Sequence, residues 1–342
     1  RLMREGTIPD DEWERRFYEL ALKASGAVQA ARWTPTADGL GFIHSFNGPH
    51  SLFSDTIRSC RVLGLAHRLG QVLMGENDRV VSLLERMVQH AQTTARYNVY
   101  YGEGRDAYDR RGRVVHESIF NVNDGAYRCP STQQGYSPFT TWTRGLAWIV
   151  TGYAELLEFL DVLADDELEG SGGRSAVREL LLKAALATSD FYIDSAAAVD
   201  GIPYWDTGAP GLAAMEDPLG KPADPYNEYE PVDSSAAAIA AQGLYRLGKV
   251  MGGEEGSRYL RAALTVADTL FALPYLSEDT AHQGLILHSI YHRPNGWDHV
   301  ASGQSIPNGE SSMWGDYHAI ELALLLKREL EGKPYLTFFD AA

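Results

Sequence analysis

Apolar residues recur at three- and four-residue spacing along most of this chain, and that period is helical. Over residues 11–32 the positions Trp13, Phe17, Leu20, Ala24, Ala27, Val28 and Ala31 share one side of a helix. The same reading predicts helices over 52–73, 78–97, 143–160, 175–193, 234–250, 255–273 and 312–330, eight in all. Asn77-Asp78 ahead of Val80-Val81, and Asp233-Ser234-Ser235 ahead of an alanine run, offer short side-chain oxygens to first-turn amides. Strand-like sequence is confined to short loop pieces such as 284–291. The expected class is all-α. The stretches near 98–140, 196–232 and 276–311 are long for loops in a helical domain, and such loops usually carry function. With no Pro-rich or Ser-rich linker, residues 1–342 read as a single domain.

Charge narrows the classes of partner. The 342 residues carry a net charge of −16 and no basic block, which argues against nucleic acid and against anionic lipid surfaces. No apolar run approaches the roughly 18 residues of a membrane span. The opening Arg1-Leu2-Met3-Arg4-Glu5-Gly6 has charge but no apolar stretch behind it, so no secretory signal is read and a cytoplasmic location is expected. Cys60 and Cys129 form neither a CxxC nor a Cys/His zinc spacing, so no disulfide framework and no metal are expected. Asn121, Asn123 and Asp124 lack the downstream Glu of a calcium loop. An acidic chain that binds an anion must do it with locally placed cations, which singles out Arg144 and Arg105.

Thr141-Trp142-Thr143-Arg144-Gly145-Leu146-Ala147-Trp148 sets two indoles around one guanidinium at a helix start. Indole faces stack on sugar rings and a guanidinium grips a carboxylate with two parallel bonds, so an acidic saccharide fits the chemistry. A helix that buries its aromatics and pairs its arginine fits the same letters. Asp55 reads either as a first-turn carboxylate or as an acid whose pKa is raised by apolar neighbours such as Phe46 and Phe53. His116 and Gln134 are equally open between ordinary loop residues and ligand contacts. Asp206 reads as a turn carboxylate, Asp233 as an N-cap and Asp316 as a structural group.

Five segments in order, Gly41-Phe42-Ile43-His44-Ser45-Phe46 with Phe53-Ser54-Asp55-Thr56-Ile57, Gln133-Gln134-Gly135-Tyr136 with the 141–148 run, Gly201-Ile202-Pro203-Tyr204-Trp205-Asp206, Asp233 through Ile239, and Trp314-Gly315-Asp316-Tyr317, resemble the unsaturated glucuronyl hydrolases, glycoside hydrolase family 88. The resemblance implies an (α/α)6 barrel. Its twelve helices against the eight read here leave two expectations, that the long loops hide short helices or that the first ones fall before Arg1. It implies removal of a 4,5-unsaturated uronic acid from the non-reducing end of lyase-made oligosaccharides by hydration of the vinyl ether, with no cofactor. Asp55 matches the family's catalytic aspartate, and His116, Gln134, Trp142, Arg144 and Trp148 match positions that hold the sugar.

A second family aspartate would also fall before Arg1, and Asp38-Gly39-Leu40-Gly41-Phe42 does not take its place. Leu146 stands where the family usually has glutamine, and residues 291–296 lack the Ser and Lys used against sulfated sugars. A glycosidase for saturated uronic acids and a non-catalytic acidic-saccharide-binding toroid are the alternatives. A sugar epimerase, which relies on paired histidines, fits less well.

Overall fold

In the computed structural model the described residues are 8–339, so the segment read for a secretory signal lies outside them. The helices are α1 (Glu12–Ala31), α2 (Ser59–Arg68), α3 (Leu83–Tyr97), α4 (Thr143–Leu160), α5 (Arg174–Phe191), α6 (Ser234–Met251), α7 (Gly253–Leu270) and α8 (Met313–Leu330). They lie in two rows. The inner row is α2, α4, α6 and α8, and the outer row is α1, α3, α5 and α7, each outer helix packing on an inner neighbour. This is the α/α barrel arrangement, with four inner and four outer helices among the described residues. No helix among them is long and apolar enough to cross a membrane.

Two helices of the inner row, α4 and α6, are buried nearly all round. In α4 every residue except Trp148 is buried, and α6 is buried from Ser234 to Gly248. The two approach so closely that a Cβ on Gly243 would sit 2.6 Å from Thr151 Cα, so glycine is required there. One hydrophobic cluster runs from Ala30 to Phe339 through α2, α3, α4, α5 and α6.

Three small antiparallel sheets decorate the helices. β1 (Trp33–Pro35) pairs with β2 (Gly41–Ile43), and β3 (Ser51–Phe53) pairs with β6 (Glu117–Phe120), which pairs with β7 (Tyr127–Ser131). β4 (Leu73–Met74) pairs with β5 (Val80–Val81). The helix expected over 52–73 is thus shorter at its start. Leu52 and Phe53 belong to β3, a 3-10 turn covers Ser54–Arg58, and α2 begins at Ser59. The cap expected at Asn77-Asp78 also moves. Both residues adopt positive φ, 58° and 56°, in the β4–β5 turn, a conformation Asn and Asp tolerate, and Ser82 caps α3 by accepting from Glu85 N. Asp233 caps α6 as expected, accepting from Ser235 N and Ala236 N.

Charge inside the concave face is paired. Buried Glu155 on α4 accepts from Arg58 and Arg61 on the α2 side. Burial pushes its pKa up, but Arg58, Arg61 and Arg246 outweigh that and hold it at about 2. Removing one partner of a buried pair strands the other, so Glu155→Gln should cost about 3–5 kcal/mol in urea unfolding. Because the folded pKa is depressed, the wild-type increment is present above the ordinary carboxylate range and is lost as pH falls through about 2. Urea midpoints along that acid limb, in wild type and variant, check it.

Candidate active site

The site forms where the inner helices begin. The 3-10 turn Ser54–Arg58 hands Asp55 to this end because β3 feeds it, and β3 is registered on β6 by the pairs Ser51↔Ile119, Leu52↔Ser118 and Phe53↔Glu117. Ser54 N donates to His116 O at 2.8 Å, which locks the aspartate turn to the histidine strand. Gly145 lets α4 close on this turn, since a Cβ there would lie 2.6 Å from the Trp142 ring and 2.9 Å from Ser54 Oγ.

An arc of rings and one guanidinium crosses the site. Phe53 lies 4.5 Å from the His116 ring, and His116 lies 4.7 Å from Trp142. The Arg144 guanidinium sits 4.8 Å from Trp142 and 5.1 Å from Trp314. Trp314 is 5.4 Å from Tyr291, which is 5.4 Å from exposed Trp297. The indole that shares Arg144 with Trp142 is therefore Trp314, where Trp148 was expected. Trp148, six residues along the helix, packs against the cluster of Trp142, Trp205 and Ile290 but has its ring 5.2 Å from His318 and 5.9 Å from Arg58 rather than on Arg144.

Arg144 is buried and fully engaged. Nη1 donates to Asp233 Oδ2 at 2.8 Å and to Ile290 O, and Nη2 to Gln134 Oε1 at 3.1 Å and Tyr291 O at 2.6 Å. With all four terminal N–H groups donated, Nε–H is the fifth and last of the guanidinium donors. The pairing fixes Gln134 in turn. Its Oε1 faces Arg144, so its amide NH2 is turned away as a donor.

His116 is preset in a similar way. Its Nδ1 accepts from Gln133 N at 2.9 Å and Gln134 N at 3.3 Å, which puts the ring proton on Nε2. Burial, with the charge of Arg144 and nearby His292, pushes its pKa down to about 3, so the ring is neutral. Its Nε2 is buried and has no hydrogen-bond partner among the described residues, and the same holds for Ser54 Oγ and Asp55 Oδ1. Buried polar atoms seldom stay orphaned, and these three flank the same locked turn and strand.

Asp55 is half-buried as a residue while Oδ1 is sealed. Burial raises its pKa to about 6 against the pull of its own N–H, Arg144 and Thr56 N–H. Phe53, 1% exposed, contributes to that burial, whereas Phe46 does not, because its ring is 84% exposed.

The other candidates are structural. Asp206 accepts from Tyr136 N and Gly208 N, and Asp316 from Leu285 N and Ile286 N. Asp38 holds Thr36, Tyr97 and Arg96 in the β1–β2 turn. The side chains of Asn121 and Asp124 bond their own backbone between β6 and β7. Arg105 is a correction: it is largely exposed on the 98–116 loop and pairs with Asp106, its neighbour in sequence. Trp314, Ser54, His292 and the Asp233 partner of Arg144 were not singled out as site residues. Trp314 stands in a quoted motif, and Ser54 adjoins Asp55, which were the available signals.

No protein-family model matches the chain. Curated relatives include the unsaturated glucuronyl hydrolase of Formosa agariphila, 28% identical over 244 residues, covering 71% of this chain and 48% of that protein. The enzyme of the same name from Bacillus sp. strain GL1 is 28% identical over 222 residues, covering 64% and 48%. The chain thus spans about half the length of the curated relatives it matches. In fold it is similar to the crystal structure of the Bacillus sp. GL1 unsaturated glucuronyl hydrolase, with a TM-score of 0.66, 23% identity, and coverage of 94% of this chain and 70% of that one.

A carboxyl whose folded pKa is raised binds its proton more tightly in the folded state, so stability falls as pH rises from its ordinary value of 3.8 through about 6. Asp55→Asn escapes that loss. The variant should melt higher than wild type at about pH 8 and match it at about pH 4, as read by thermal unfolding.

Proposed function

We propose that this chain, a member of the unsaturated glucuronyl hydrolase family, removes a 4,5-unsaturated uronic acid from the non-reducing end of an acidic oligosaccharide. The observation that carries the reading is Asp55, a carboxyl poised near neutrality on the turn that Ser54 N ties to the His116 carbonyl, with His116 Nε2–H and the Gln134 amide preset as donors. A general acid works best with a pKa near the working pH.

In this reading Asp55 gives its proton to C4 of the vinyl ether, and cationic character develops at C5. Water adds at C5 as Asp55 takes a proton back, so the carboxyl ends as it began. The hemiketal opens, and the linkage carbon releases the following sugar as its alcohol. His116 and Gln134 donate to the sugar, and Trp142 offers an indole wall 4.8 Å from the Arg144 cation. Arg144 adds its field and keeps Gln134 turned, because its terminal N–H groups are already committed within the chain. Trp148 would shape the floor below, against Arg58 and His318. The site residues supply acid, base and hydrogen bonds without assigning a role to a cofactor.

Turnover is followed as loss of the ultraviolet absorbance of the conjugated double bond in a lyase-made disaccharide. Asp55→Asn should lower kcat by about 100-fold or more. Wild-type kcat should decline as pH rises through about 6, where Asp55 gives up its proton. Full activity in the variant, or release of saturated uronate only, would remove this reading.

Arg144→Lys tests the orienting role. One ammonium cannot reproduce a planar fork with four fixed acceptors. The variant should raise KM by about tenfold or more, as expected when sugar binding is lost. An unchanged KM in steady-state assays would show that Gln134 needs no such anchor.

A further inference from the structure

Glu117 is a wholly buried carboxylate beside the site that the proposed reaction does not use. It follows His116 on β6, and strand alternation turns its side chain to the opposite face. There Oε1 accepts from Asn47 Nδ2 at 2.8 Å and Ser51 Oγ at 2.5 Å, and Oε2 from Gln133 Nε2 at 3.4 Å. The donors bring others with them. Ser45 Oγ bonds Ser51 Oγ at 2.9 Å and accepts from Asn47 N at 3.1 Å. One carboxylate therefore gathers both ends of the turn between β2 and β3, and reaches the residue before Gln134.

The tip of that turn is Phe46, with its ring in solvent and its edge against Phe53 at 5.4 Å. Phe53 in turn lies on His116, so Phe46 extends the aromatic arc at the end opposite Trp297. Burying an anion is costly unless its partners are well placed. Here that cost is offset by bonds that fix a turn whose exposed end is a hydrocarbon ring. A rigid ring in water gains the fold little, but it spares a ligand the entropy of ordering it.

We infer that Glu117 is a positioning residue for saccharide binding: it latches the 45–51 turn so that Phe46 presents its ring to the sugar unit following the uronate. The inference rests on the proposed function for the identity of that ligand.

A double-mutant cycle with Glu117→Gln and Phe46→Ala tests it. Glutamine keeps the shape and one acceptor oxygen, so the fold is expected to survive. Glu117→Gln should raise KM about tenfold on an unsaturated tetrasaccharide, with kcat within about twofold. If Glu117 acts through Phe46, that increase should be small when Phe46 is already alanine, and small on a methyl glycoside of the unsaturated uronate. An equal KM increase in both backgrounds, or on both substrates, would overturn the inference.

A second readout does not need activity. Amide hydrogen exchange over residues 45–51 should quicken in Glu117→Gln relative to wild type. Unchanged exchange overturns the latch. Quickened exchange in a protein with no turnover would leave the latch standing and fail the proposed reaction.

Discussion

The site depends on where one guanidinium spends its hydrogen bonds. Arg144 opens α4, and its four terminal donors tie that helix to Asp233 at the start of α6, to the carbonyls of Ile290 and Tyr291, and to Gln134. Two indoles close its faces. Segments far apart in sequence are thereby fixed at one point. A buried charge so placed is expensive to desolvate, and it is tolerated because its partners are complete. The consequence is functional as well as structural. With its fork occupied, Arg144 acts on its surroundings through its field and through the orientation it imposes on Gln134.

That field competes with burial at Asp55. Desolvation drives the carboxyl toward its neutral form, while Arg144 and two backbone N–H groups favour the anion. Burial wins, but only far enough to leave the group near neutrality. Glu155, with Arg58 and Arg61 both paired to it and Arg246 near, is held instead at about 2, whereas Glu158, paired with Arg246 alone, stays raised by its burial. The contrast between Glu155 and Asp55 in one chain comes from partners rather than from depth, since one has ion pairs and the other has an orphaned oxygen.

The helices were legible because their signal is local. Residues 143–160 form the helix that the apolar period predicts, and Asp233 caps α6 as its position before an alanine run suggests. The misreadings came where distant pairing or backbone conformation decides. Leu52 and Phe53 fit a helical pattern as well as a strand, and β6, more than sixty positions on, selects the strand. Asn77 and Asp78 carry capping chemistry, yet the same short polar side chains suit the left-handed turn that they form. Asp55, His116, Gln134, Trp142 and Arg144 could be gathered from motifs, and the structure brings them together. That Trp314 rather than Trp148 completes the sandwich depends on how α8 sets Trp314 against Tyr291 of the 276–311 loop, which no local pattern records.

One feature of the architecture sets a locally positive place within a chain of charge −16. The turn before α2 and the starts of α4, α6 and α8 meet around Arg144, as the contacts of Ser54 with Gly145, Asp233 with Arg144 and Trp314 with Ser235 show. Each helix start carries a partial positive charge from its unpaired amides. Asp233 and Ser312 cap α6 and α8, but α4 begins at Trp142 with no side-chain cap. The positive ends of the inner row and the buried Arg144 guanidinium thus act at the same place, and at contact distance they outweigh a surface charge that salt screens within about 10 Å.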